Sequence, residues 1–204
     1  MNDISDNKKI KIKIGVIGDQ GVGKSFLINL FLSSNKDSSV ETSMSFFYLA
    51  PMCKRIQKTI QSKKFILEFY QFSSKNDKII GYIQSCQVVL IVIDLNNRNS
   101  FENLSDYWLG FLKNDCYYEN DIYVLGNYLN VANTPLTSGE EVNEMLKLSQ
   151  IDTTYIEIGK NTQEESVGLL DKLIHDTHLE EIKRSKTNDC NKGGSLKVDK
   201  CFIY

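Results

Sequence analysis

Residues 18–25 read GDQGVGKS and run directly into the apolar stretch FLINLF at 26–31. Four residues separate Gly18 from Gly23, and Lys24 and Ser25 follow, which is the full spacing of a phosphate-holding loop. Glycines let successive N–H groups converge on an anion, and the helix that the loop opens adds the positive end of its dipole. In such a loop the lysine reaches the outer phosphates and the hydroxyl binds Mg2+. Gly18, Asp19, Gln20, Gly21, Val22, Gly23, Lys24, Ser25 and Phe26 are therefore the candidate nucleotide-binding stretch, with Ser25 also a candidate metal ligand.

The flanks suit that loop. Ile10 to Ile17, IKIKIGVI, alternates and then turns continuously apolar, as a strand entering a core does. Lys24 to Leu32 reads as a buried helix, and Ser33 to Ser45 as a loop rich in Ser, Asn and Asp. Ser45–Ala50 and Phe65–Gln71 are expected strands, and Gln87–Asp94, QVVLIVID, is a β-branched run that implies burial on both faces. Asn99 and Glu102 form a capping box for a helix through Leu112, and Asp121–Gly126 is another buried strand. Ser138 and Glu141 cap a helix ending near Leu148, and Tyr155–Ile158 is the last strand. Thr162 and Glu165 cap a final helix with Val167, Leu170, Leu173 and Ile174 on one face. Alternating strands and capped helices predict an α/β fold: a mostly parallel six-stranded sheet with helices on both faces. The expected organisation is a short extension at 1–9, one domain at 10–180, and a flexible basic tail at 181–204.

Bulk properties narrow the function. The 204 residues carry 24 Lys and Arg against 26 Asp and Glu, a net charge of -2 that gives no argument for a nucleic-acid partner. Five scattered cysteines and two histidines, His175 and His178, form no metal-ligand spacing. They suit reduced thiols in the cytoplasm. No apolar run reaches the roughly 20 residues of a membrane span, the N-terminus does not read as a signal peptide, and residue 2 is not the glycine of a myristoylation signal.

The order, spacing and length of these elements resemble a Ras-superfamily small GTPase over about residues 10–180, and GDQGVGKS is most similar to the GDSGVGKS form of Rab proteins. The resemblance implies a P-loop NTPase fold that binds GTP or GDP with Mg2+. It places the metal-binding switch threonine at Thr42, with Ser43 as the neighbouring alternative. In the family an Asp-x-x-Gly after the third strand serves the metal and the γ-phosphate; here Gln71 and Ser74 stand at those places. The water-orienting glutamine falls on Lys75, which cannot accept a hydrogen bond, and Gln20 occupies a position that is small in most relatives. Intrinsic hydrolysis is expected to be very slow or absent.

Asn-Lys-x-Asp, which reads the guanine base, becomes Asn127, Tyr128, Leu129 and Asn130. Asn130 lacks the carboxylate that accepts two guanine N–H groups, and its amide could favour a xanthine nucleotide. Gly159 and Lys160 stand where Ser-Ala-Lys would contact the base. By the same resemblance residues 36–50 and 71–84 face effector and regulator proteins, and the chain is a monomer. Cys201, fourth from the end behind a basic stretch, is a candidate lipidation site that would hold the protein on the cytosolic face of a membrane.

The leading expectation is a GTPase-like switch in membrane traffic or signalling. A different class is a catalytically inactive pseudo-GTPase acting as a binding module. A third reading is a P-loop kinase or ATPase that uses Asp94, at the end of an apolar strand, to hold Mg2+.

Overall fold

A computed structural model describes residues 9–33, 41–43, 53–60, 62–74, 77–128, 135–159 and 167–178. Its centre is a seven-stranded sheet with helices on both faces. The strands are β1 (Ile10–Ile17), β2 (Glu41–Ser43), β3 (Cys53–Ile60), β4 (Lys63–Gln71), β5 (Val88–Asp94), β6 (Asp121–Asn127) and β7 (Thr154–Ile158). They lie in the order β2-β3-β4-β1-β5-β6-β7. Among the described residues only the β2–β3 and β3–β4 pairings are antiparallel. The expected mostly parallel α/β architecture is therefore present, with seven strands among the described residues in place of six.

The helices are α1 (Lys24–Ser33), α2 (Asp77–Gln84), α3 (Arg98–Asn103), α4 (Gly139–Ser149) and α5 (residues 167–178). α3 continues as π-helical turns over Leu104–Leu109 and Phe111–Asp115.

Strand alternation sorts the core into two layers. Ile12, Ile14 and Val16 of β1 and Val88, Leu90 and Val92 of β5 pack with Leu27, Ile28 and Phe31 of α1 and with Leu170, Leu173 and Ile174 of α5. The intervening residues Ile17, Val89, Ile91 and Ile93 turn to the other face, against Ile83 of α2, Trp108 after α3, and Val142 and Leu146 of α4. β5 lies between β1 and β6 and is covered on both sides, so Val88–Ile93 are all buried.

Several local expectations are corrected. The Ser45–Ala50 strand lies outside the described residues, and the strand that pairs with β4 is Cys53–Ile60, in the register Ile56↔Leu67. The Ser33–Ser45 loop contains the short strand β2. The cap of α3 is Asn97, whose side chain accepts from the Asn99 N–H; Glu102 instead pairs with Arg98. The π-helical turns and α2 are further elements that the local sequence pattern does not announce. The Ser138–Glu141 capping box is present with both of its hydrogen bonds.

β4 also buries a charge. Glu68 is 2% exposed and accepts from Arg55 Nη2 at 2.6 Å, Lys11 Nζ at 3.0 Å and Tyr70 OH at 3.0 Å. Burial raises its pKa, but the bonds from Lys11, Arg55 and Tyr70 outweigh burial and hold it below the ordinary 4.5. A carboxyl with a folded pKa below its unfolded one contributes stability that is present at neutral pH and lost as pH falls through the folded value. Glu68→Gln is expected to flatten the decline in stability below pH 4.5. Denaturant titrations of both proteins at several acidic pH values check this; parallel declines refute it.

Candidate functional site

Parallel strands end at one edge of the sheet, and β1 has β4 on one side and β5 on the other, so the strands that follow it fall on both sides. A crevice opens at such a switch point. The loop 18–25 occupies it. Gly18, Gly21 and Gly23 have φ of 138°, 88° and 95°, backbone that side-chain-bearing residues rarely adopt. A Cβ on Gly18 would lie 2.3 Å from the Val92 carbonyl oxygen, so this position excludes every other residue.

Lys24, first residue of α1, is 3% exposed, and its ammonium donates to the Gly18 carbonyl at 2.8 Å and to the Asp19 carbonyl. Burial pulls its pKa down to about 8, with the Asp19 charge opposing. Above it lies a hollow of about 520 Å3, lined by Gln20, Gly21, Gly23, Lys24, Ser25 and Phe26 and by Gln71 and Ser73 from the end of β4. Among the described residues, Lys24 is the single charged side chain in that lining. A glycine-rich loop opening a helix, with one ammonium beside it, is the kind of arrangement from which anion sites are built.

Ser25 Oγ donates to Gln71 Oε1 at 2.8 Å, across 46 residues of sequence. Two oxygens, a hydroxyl and an amide carbonyl, thus meet beside the hollow. Both are hard donors of the kind Mg2+ accepts, but neither carries the carboxylate charge that usually anchors it. Among the described residues no group of three His, Cys, Asp or Glu is placed to hold a metal.

Asn127 ends β6, and its Nδ2 donates to the Val22 carbonyl at 2.8 Å, tying the base-side loop to the phosphate loop. Residues 13–130, more than half of the chain, match the family described as Ras of Complex, Roc, domain of DAPkinase. The chain belongs to the Ras superfamily of small GTPases. Two Arabidopsis thaliana proteins show the Rab-like character: Ras-related protein RABC2b is 32% identical over 102 residues, 48% of this chain and 47% of that protein. Ras-related protein RABC2a is 31% identical over 102 residues, 48% of this chain and 46% of its own length. The chain spans about half the length of these curated relatives. Members of this superfamily generally bind guanine nucleotide with Mg2+ and engage effectors and regulators.

The other site candidates fall as follows. Thr42 sits in β2 opposite Lys54. Tyr128 is half-buried, packs against the second core layer, and its N–H donates to the Ile158 carbonyl at 3.0 Å. Gly159 follows β7, with open space where a Cβ would stand. Lys75, Asn130, Lys160 and Cys201 lie outside the described residues. Asp94 Oδ1 accepts the Asn96 N–H at 2.9 Å and so shapes the turn into α3.

Two residues that the sequence did not flag touch the phosphate loop. Trp108 Nε1 and Asn103 Nδ2 donate to the two carboxylate oxygens of Asp19. A single tryptophan carries no spacing signal, and only the fold brings it 89 residues back to Asp19.

Among the described residues no helix is long and apolar enough to cross a membrane.

Proposed function

We propose that this chain is a guanine-nucleotide-dependent binding module of the Ras superfamily, with very slow or absent intrinsic hydrolysis. It holds GDP or GTP on residues 18–26 and, through residues 36–50 and 71–84, engages partner proteins in membrane traffic or signalling. The observation that carries this reading is the buried Lys24 ammonium beneath a hollow walled by glycine backbone. Ser25 and Gln71 would hold Mg2+, and the ion, when bound, offsets phosphate charge. Thr42 is the further candidate ligand.

Slow turnover is supported by the neutral Gln71 at the Ser25 contact and by Lys75 at the water-orienting position. The same features favour the pseudo-GTPase alternative, in which the nucleotide is structural. The engagement of Asp94 in its turn gives the kinase reading no support. Base contacts are assigned to Asn127, Tyr128, Asn130, Gly159 and Lys160, with a xanthine nucleotide as the competitor that Asn130 invites. Membrane attachment through Cys201 and the basic tail rests on sequence alone; the mass of the C-terminal peptide from native cells tests it.

Titration of the folded protein with GTP, GDP, XTP and ATP in the presence of Mg2+ tests the main reading. Guanine or xanthine nucleotide is expected to bind most tightly, and ATP binding tightest refutes it. Single-turnover hydrolysis at rates typical of active family members would remove the claim of slow chemistry. A carboxylate should strengthen the metal's hold, so Gln71→Asp is expected to increase the Mg2+ enhancement of nucleotide affinity about tenfold. Titrations with Mg2+ and with chelator measure it, and an unchanged ratio contradicts the assignment.

A further inference from the structure

Asp19 is the only acidic residue in the stretch 18–25, and a free carboxylate there would repel a polyphosphate. Both of its oxygens are held elsewhere. Oδ1 accepts the indole N–H of Trp108 at 2.9 Å, and Oδ2 accepts from Asn103 Nδ2 at 2.8 Å. Asp19 does not line the hollow.

The two donors lie five residues apart. On an α-helix such residues are about 140° apart around the axis and do not share a face. In a π-helical turn the i→i+5 bond stacks residue i+5 over residue i. Leu104–Leu109 is such a turn, and Asn103 precedes it directly. The unusual winding therefore has a geometric consequence: it aims two side chains at one carboxylate.

We propose that Asn103 and Trp108 are positioning residues of the phosphate site, holding the Asp19 carboxylate out of the hollow so that Lys24 and the loop N–H groups meet phosphate without a competing anion. This rests on the nucleotide-binding reading. The competitor is close at hand: Lys24 already donates to the main-chain carbonyl of Asp19. A released carboxylate could turn toward that ammonium and occupy the place of the phosphate.

The first measurement needs no ligand. Trp108 is the only tryptophan, so 15N-labelled protein shows one indole N–H resonance. Asp19→Asn removes the charged acceptor and is expected to move that resonance upfield; an unmoved resonance overturns the contact. The second measurement is a titration with fluorescent GDP and Mg2+ of the wild type, Asn103→Ala, Asp19→Asn and the double variant. Asn103 is exposed, so its truncation leaves the core intact, which circular dichroism verifies.

Asn103→Ala is expected to weaken binding about fivefold when Asp19 is present and less than twofold in the Asp19→Asn background. That dependence on the Asp19 charge is something a merely structural contact would not show. Equal losses in both backgrounds, or no loss in either, overturn the proposal. A folded wild type that binds no nucleotide at millimolar concentration refutes the functional reading and the positioning role with it, while the indole resonance still reports the contact separately.

Discussion

Lys24→Ala is expected to weaken guanine-nucleotide binding about 100-fold while leaving the fold intact. Among the described residues the ammonium is the single charge lining the hollow, and two main-chain carbonyls hold it in place there. A charge-assisted contact of this kind contributes roughly 1.5–3 kcal/mol, and its loss from a desolvated site reaches the upper end of that range. The fold does not depend on the charge. Burial lowers the Lys24 pKa from 10.5 to about 8, so the folded chain binds this proton less tightly than the unfolded chain. That destabilising contribution is fully present below about pH 8 and fades as pH rises toward 10.5.

Anion binding has the opposite preference, because phosphate stabilises the protonated lysine. Nucleotide affinity is accordingly expected to hold steady up to about pH 8 and to decline above it. Calorimetric titrations of wild type and Lys24→Ala on both sides of that pH check both statements. Equal affinities for the two proteins, or an affinity that rises with alkalinity, would be incompatible with the site as described.

Gly18→Ala is expected to damage fold and site together. The added Cβ meets the Val92 carbonyl oxygen at 2.3 Å, and that oxygen is main chain of the central strand β5 and cannot swing aside. The φ of 138° adds strain for any residue with a side chain. Strained backbone alone costs about 1–3 kcal/mol, and forcing the loop off β5 adds to it, so a loss of about 3 kcal/mol or more is expected. Chemical denaturation measures this. Gly21→Ala is the internal control: a Cβ there meets nothing within 4 Å, although its φ of 88° still carries strain. A Gly18 variant no less stable than the Gly21 variant would show that the close approach to Val92 is not what the loop depends on.

The contrast between Ser138 and Asn99 shows what local pattern can reveal. Both began a plausible capping box. At Ser138 both expected bonds form, because Glu141 accepts the Ser138 N–H on one oxygen and meets Arg98 Nη1 with the other. At Asn99 the helix starts earlier, since Asn97 accepts the Asn99 N–H and Arg98 draws Glu102 into an ion pair. β3 escapes local pattern for a different reason. CKRIQKTI buries only Cys53 and Ile56 and sets half-buried polar residues between and after them, so its strand character comes from pairing with β4.

The order of buried strands and the phosphate loop were legible in the sequence because their signals are local. A β-branched run can be read within seven residues, as in β5, and glycine spacing within eight, as at 18–25. What meets that loop was decided only by the tertiary structure. Ser25 reaches Gln71 across 46 residues, Asp19 reaches Trp108 across 89, and Val22 receives Asn127 across 105. Parallel pairing brings the carboxyl ends of β1, β4, β5 and β6 to one edge of the sheet, and side chains with no common pattern along the chain become neighbours there.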